Sequence, residues 1–170
     1  MRIGNWPLVM MAVEWIIRNP NLYDQSIYRT RFESTGGCGN SECCLPRGSY
    51  TARCVAGWIA FFARYRDIPR TDYVLMPDSD DQVLIETAAL MAMDLDPEIY
   101  GRGGELVEGL YNQTTKDLTI HLFDWAMSWD DILGTLRDLM KADGVVPTPV
   151  ILEEMLTKGV VTDEDVPSWI

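Results

Sequence analysis

The sequence predicts a mainly α fold: a compact single-domain helical bundle of about six helices with a long cysteine-containing loop. Apolar residues recur at helical spacing along most of the chain. Several segments begin at a capping residue or end at proline or glycine, and no strand alternation or hairpin turn is convincing. At 170 residues one domain is expected, with a helical core domain over 1–144, its cysteine loop at 29–50, and a C-terminal helical extension over 145–170.

The first helix is predicted from Pro7 to Arg18. Proline suits the first helical position, where its missing N–H would have no partner anyway. The residue before Pro20 is pushed out of the helical region, which ends the helix at Asn19. The predicted apolar face consists of Leu8, Met11, Ala12, Trp15 and Ile16.

The second helix is predicted from Thr51 to Arg66, and a connector follows as far as Pro77. Ser79 and Gln82 have the spacing of a capping box, in which a serine oxygen accepts from a helical N–H and a glutamine reaches back. A third helix is therefore predicted to carry the apolar residues between 83 and 95.

Further helices are predicted over 104–111, over 115–125 and from Ser128 to Asp143. Gly144 suits the left-handed position just past the end of a helix. A last helix is predicted to open at Thr148-Pro149 and to end at Lys158-Gly159.

The formal net charge is −12. Such a charge opposes binding to nucleic acid, which needs cationic side chains to displace counterions. The charge is consistent with an ordinary soluble acidic protein. A more specific alternative is an acidic DNA mimic, in which carboxylates imitate phosphates. No apolar run has the length of a membrane span, and Glu14 interrupts a run that superficially resembles a signal peptide. We therefore expect a cytoplasmic protein without membrane contact.

Four cysteines, Cys38, Cys43, Cys44 and Cys54, are the candidate metal ligands. Four thiolates can hold one structural zinc ion, although a paired C-x-x-C knuckle is missing. Reduced structural cysteines and a conditional disulfide remain open alternatives. We expect Cys54 to be buried at the start of the second helix with another cysteine nearby.

A thiol- or metal-dependent enzyme centred on Cys54 is a functional alternative. Cys54 would sit where helical N–H groups lower a thiol pKa, and His121, the sole histidine, could act as its base. His121 lies beside an apolar stripe, however, and nothing in the sequence fixes the distance between the two side chains. No catalytic residue is assigned on this basis, and an enzyme is the less favoured interpretation.

Aromatic residues at the predicted helix ends and connectors are the candidate partner-binding residues. These are Trp6, Tyr23, Tyr28, Trp129 and Trp169. Such residues are commonly core anchors, but as one exposed patch they would supply a large contact area for a protein partner or for a second copy of the chain.

Several short motifs follow one another in a particular order between residues 12 and 140. They are Trp15-Ile16 with Pro20, Tyr23-Asp24-Gln25-x-x-Tyr28, Cys54-x-Ala56-Gly57-Trp58, Leu122-Phe123, and Ser128-Trp129-Asp130-Asp131-Ile132-Leu133. This order resembles a group of small uncharacterised proteins of actinobacteria and their bacteriophages, which read W-D-Q, then C-G-T-x-x-C-x-A-G-W, then L-F and N-T-x-x-D-L.

The chain departs from that pattern at Ser49, which stands where the family shows its first cysteine, and in the cysteine-rich segment from Cys38 to Cys44. The resemblance implies no activity. It implies a phage or actinobacterial setting, with the host cytoplasm as the compartment of a phage-encoded protein. The predicted function is that of an accessory, host-modulating protein that acts by binding another protein.

Overall fold

The computed structural model describes residues 3–24, 29–34, 48–68, 71–96, 123 and 127–166, with the backbone alone for 29–34 and 48–52. Five α-helices and five β-strands lie within these residues. The helices are α1 (Trp6–Arg18), α2 (Val55–Phe62), α3 (Ile85–Ala92), α4 (Trp129–Asp143) and α5 (Pro149–Thr157). The strands are β1 (Arg29–Ser34), β2 (Gly48–Arg53), β3 (Arg66–Asp67), β4 (Tyr73–Leu75) and β5 (Gln82–Leu84).

The predicted six-helix bundle is wrong, because antiparallel strands form part of the fold. Strands β3, β4 and β5 make a three-stranded antiparallel sheet in that order, and β1 pairs with β2 in a separate hairpin. The two- and three-residue strands of the first sheet are too short to produce a visible alternation of apolar and polar residues. The residues of β3 and β4 were accordingly predicted to lie in a connector, and those of β5 at the start of the third helix.

The predicted cysteine loop at 29–50 begins and ends in strand. Arg29 is paired with Arg53 and Ser34 with Gly48, so the hairpin also takes in the residues that were predicted to start the second helix. Backbone pairing along the whole of β2 outweighs helix propensity there. Helix α2 consequently begins at Val55, four residues later than predicted from Thr51.

The capping box predicted at Ser79 is also wrong. Ser79 Oγ accepts from the backbone N–H of Asp81 at 3.2 Å and donates to the Asp81 carboxylate at 2.9 Å. The bond from Asp81 N–H closes a turn of two residues, whereas the serine of a capping box accepts from the N–H of the third residue. The residues from Gln82 to Leu84 are strand β5, and α3 begins only at Ile85.

Helices α1, α4 and α5 confirm the predictions made for these segments. In α4, Ser128 and Asp131 form a reciprocal capping box, and Gly144 takes the left-handed conformation with φ of 65°. The helices predicted over 104–111 and 115–125 lie outside the described residues, except that Phe123 is helical and buried.

One hydrophobic core joins all five helices, and Val74 of β4 belongs to it. The predicted C-terminal extension contributes Ile151 and Met155, both fully buried, to this same core. A buried carboxylate also connects distant parts of the chain. Asp143, the last residue of α4, accepts from the backbone N–H of Ile3 and from Trp6 Nε1, both at 2.8 Å. No helix in the described part of the chain is long and apolar enough to cross a membrane.

Candidate functional site

Cys54 is the N-cap of α2 and is 1% exposed, which confirms that it is buried at the start of the second helix. Its Sγ accepts from the backbone N–H of Gly57 at 3.4 Å, in the manner of a serine or threonine cap. The residues that follow, Val55, Ala56 and Gly57, are all buried. The thiol therefore has a structural role in starting the helix.

Burial raises the pKa of the Cys54 thiol to about 11, more than the helical N–H groups lower it, and the nearby Glu86 carboxylate adds to the rise. Burial also raises the pKa of Tyr23, to which Cys54 and Asp24 contribute further. A thiol with so high a pKa is protonated at neutral pH, and the thiolate is the nucleophilic form. This environment does not activate Cys54 for catalysis.

The zinc site stays a prediction. Cys38, Cys43 and Cys44 lie outside the described residues, as does His121, the proposed base of the enzyme alternative. Within the described residues, no three His, Cys, Asp or Glu side chains form a group that could hold a metal ion.

The predicted partner-binding aromatics do not form one exposed patch among the described residues. Trp6 is 5% exposed and donates to Asp143 in the core. Tyr23 and Trp129 are half-buried and pack edge to face at 5.1 Å, and Trp129 Nε1 donates to Glu154 at 3.0 Å. Tyr28 and Trp169 lie outside the described residues.

An exposed apolar surface is present elsewhere, on α1. Met11 is 46% exposed and Trp15 is 38% exposed, although both were predicted to face the core. Leu8, Ala12 and Ile16, the other residues of that predicted face, are buried. The core lies on one side of α1, so the broad apolar face divides into a buried part and an exposed part.

The exposed part of α1 borders a groove with a volume of about 530 Å³, which we call the α1 groove. It is lined by Pro7, Met10, Met11, Glu14, Trp15, Arg18, Phe62 and Thr148. The only charged side chains in this lining are Glu14 and Arg18, and Arg18 donates to the Glu14 carboxylate at 3.1 Å. A concave, mainly apolar lining with few polar groups is typical of binding sites.

Aromatic contacts support the wall of the α1 groove. The Trp15 ring lies 5.6 Å from Trp58 and 5.9 Å from Phe62. Phe61, which is 46% exposed, lies 5.5 Å from both Trp58 and Phe62 and extends the apolar surface beyond the groove. These distances fall in the range of favourable ring pairs, so the exposed rings are held in defined positions.

A buried cation lies against two of these rings. The Arg53 guanidinium is 4.9 Å from the centre of the Trp58 ring and 4.5 Å from that of Phe61. Arg53 also donates to the Asp67 carboxylate at 2.6 Å, and its side chain is 7% exposed. One side chain therefore connects β2, α2 and β3 and fixes Phe61 from its inner side.

Reasoning from the sequence missed the α1 groove, but the signal was present. Glu14 and Arg18 are the only polar side chains in α1. A helix that is apolar on every side is normally buried on every side. At the surface of the described structure, such a helix has more apolar faces than its own core can cover.

No family model, no curated protein and no solved structure matches this chain.

Proposed function

We propose that the protein acts by binding another protein through the α1 groove, as an accessory protein of a phage or an actinobacterium. The observation that carries this proposal is the exposure of Met11 and Trp15 on a helix whose opposite face is already in the core. Contiguous apolar surface of this kind marks interaction sites. Tryptophan and methionine are also enriched at protein interfaces.

The net charge of −12 favours a different, basic protein over a second copy of the chain as the partner. Two copies repel each other at long range, whereas a basic partner is steered toward the surface. The setting that we propose is the cytoplasm, the host's in the case of a phage protein, where cysteines remain reduced.

Neither functional alternative gains support from a specific contact. A Cys54-centred enzyme would need an accessible thiolate, and this thiol is 1% exposed with a raised pKa. A DNA mimic would need carboxylates that are free to imitate phosphates. Several described carboxylates instead hold local structure, as Asp131 does at the start of α4 and Asp165 does by accepting from Thr162.

The test is affinity capture from an actinobacterial lysate with two matched variants. Met11→Glu adds a charge inside the groove, and Leu84→Glu adds the same charge outside the groove lining, at a residue that is 45% exposed against 46% for Met11. We expect one protein to be recovered by the wild type and by Leu84→Glu and to be lost with Met11→Glu.

Light scattering on the purified protein accompanies the capture. If light scattering shows a dimer, and if Met11→Glu dissociates it, then the partner that binds the α1 groove is a second copy of the chain. Equal recovery by both variants would contradict the groove as the binding site.

A further inference from the structure

Six residues of the α1 groove lining form two parallel rows along the helix. Pro7, Met11 and Trp15 make one row at a spacing of four residues, and Met10, Glu14 and Arg18 make the next. Rows of this spacing are the ridges that α-helices use when they pack, and the furrow between two such rows receives a ridge of a neighbouring helix. The exposed side of α1 therefore has the relief of a helix-packing surface.

The lining also disfavours an extended peptide. It is formed by side chains of α1, by Phe62 of α2 and by Thr148, the N-cap residue of α5. Extended peptides gain affinity by pairing their backbone with an open sheet edge. Helices keep their N–H and C=O groups for internal bonds, so a bound strand would leave its own backbone groups without such partners.

The rows set the size of the occupant. From Pro7 to Trp15 the row rises by eight residue steps, or about 12 Å along the helix axis. A partner helix of three to four turns, with apolar side chains at i, i+4 and i+7, covers that length with one apolar face.

The charge of the protein indicates which charged residues the solvent-facing side of the partner helix carries. Arg18 is paired with Glu14 inside the groove, so the only cation in the lining is locally balanced. The protein as a whole carries −12. An approaching helix therefore meets a negative field, which favours Lys and Arg along its solvent-facing side.

We infer that the α1 groove binds a cationic amphipathic helix, whose apolar ridge inserts between the Pro7–Met11–Trp15 row and the Met10–Glu14–Arg18 row. This inference rests on the proposed function and names the chemistry of the partner.

Three synthetic peptides of about 14 residues, roughly four helical turns, test it in solution. The first carries Leu at helical spacing with Lys elsewhere. The second keeps the Leu positions and replaces every Lys with Glu. The third has the composition of the first with Leu and Lys in strict alternation, the pattern of a strand. Fluorescence anisotropy of labelled peptide measures affinity, and circular dichroism measures helix formation on binding.

We expect the first peptide to bind at least about tenfold more tightly than either of the others and to weaken as salt is added. Met11→Glu is the decisive variant, because it makes the protein more acidic. Attraction by charge alone would strengthen with this substitution, whereas insertion of an apolar ridge would weaken by about tenfold or more. Leu84→Glu, which adds the same charge elsewhere, should leave the affinity unchanged or slightly increased.

Equal binding of the alternating peptide would overturn the helical occupant, and equal binding of the Glu peptide would overturn its positive charge. Binding that survives Met11→Glu would place the peptide outside the groove and overturn the inference as a whole. A lysate partner that depends on Met11, together with no preference among the peptides, would overturn the helix inference alone. A peptide preference without any lysate partner that depends on Met11 would instead count against the proposed function.

Discussion

Helices α2 and α4 begin and end with the same geometry and with opposite chemistry. At the start of each, a side chain accepts from the amide of the third helical residue: Cys54 Sγ from Gly57 at 3.4 Å, and Ser128 Oγ from Asp131 at 3.2 Å. Cys54 is buried, whereas Ser128 is exposed and is joined by the Asp131 carboxylate.

The ends of the two helices match as closely. Arg64 follows α2 with φ of 69°, and Gly144 follows α4 with φ of 65°. The next amide in each case bonds to a carbonyl five residues earlier, Tyr65 to Ala60 at 3.1 Å and Val145 to Met140 at 2.9 Å. These bonds are the Schellman arrangement, which glycine adopts without steric cost and arginine does not.

The environment explains the exchange at the helix starts. A hydroxyl loses strong hydrogen bonds to water when it is buried, whereas a thiol is a small apolar group with weak hydrogen-bonding capacity. The core therefore tolerates sulfur as a cap, and the surface favours oxygen with a carboxylate. A cap is thus defined by its geometry, and burial selects the atom that serves.

The largest expected effect on stability lies at the C-terminal end of α4, where the buried Asp143 carboxylate accepts two hydrogen bonds. Asp143→Ala leaves the Ile3 N–H and Trp6 Nε1 as buried donors without this acceptor. We expect the free energy of unfolding to fall by about 2–4 kcal/mol, measured by urea denaturation. Asp138→Ala, on the same helix with a side chain 44% exposed, is the control and should change little. Equal losses for both variants would contradict this role of Asp143.

Cys54→Ala and Ser128→Ala compare the two caps directly. The serine variant loses an exposed cap, at a cost of about 1 kcal/mol. The cysteine variant loses a cap and also opens space in the core, at a cost of about 2 kcal/mol. Thermal denaturation of both measures the difference. A smaller loss at Cys54 than at Ser128 would mean that the sulfur contributes little as a cap.

At alkaline pH the two caps should affect stability differently, because the Cys54 thiol loses its proton in this range and the Ser128 hydroxyl does not. The pKa of Cys54 is raised to about 11 in the folded protein, above the value of about 9 for an exposed thiol. Its contribution to stability is therefore complete below about pH 9 and is lost as the pH rises through about 11, with a slope of up to about 1.4 kcal/mol per pH unit. The pH profile of urea denaturation should become flatter in Cys54→Ser by that amount. An unchanged profile would indicate that the thiol titrates normally.

The smallest expected effects are at the left-handed residues, and they have opposite signs. Arg64→Gly relieves the strain after α2 and should raise the free energy of unfolding by about 0.5–1 kcal/mol. Gly144→Ala introduces that strain after α4 and should lower it by about 1 kcal/mol, since nothing lies within 4 Å of an added Cβ. Thermal denaturation distinguishes the two. Destabilisation by Arg64→Gly would show that the arginine side chain makes a compensating contact.

The comparison of α2 with α4 also explains how much of the fold could be predicted from the sequence. The bounds of α4 were predictable because Ser128, Asp131 and Gly144 are the residues that usually mark helix ends. The bounds of α2 were not, because a cysteine at the start and an arginine at the end give no such signal. The strands between α2 and α3 are two or three residues long, which is too short for a recognisable sequence pattern. Ser79, which precedes β5, has the spacing to Gln82 that is typical of a capping box, and this spacing led to the wrong prediction of a helix there.

The candidate site was predicted less well than the fold. Aromatic residues at helix ends and connectors were the candidate partner-binding residues, and one of them, Trp6, lies in the core. Met11 and Trp15 were assigned to the core because periodicity identifies an apolar face and cannot tell which part of a wide face is covered. Only the packing of the helix within the protein supplies that information.

The bonds from Asp143 to Ile3 and Trp6 also bear on how the chain folds during synthesis. Ile3 and Asp143 are separated by 140 positions, so at ribosomal rates of about 5–20 residues per second the acceptor is made roughly 7–28 seconds after its donors. α2 emerges earlier and covers part of α1, but Trp6 and the side of α1 that meets α5 wait for the later helices. In a nascent chain, part of the apolar surface of α1 therefore stays uncovered until α4 and α5 have been made.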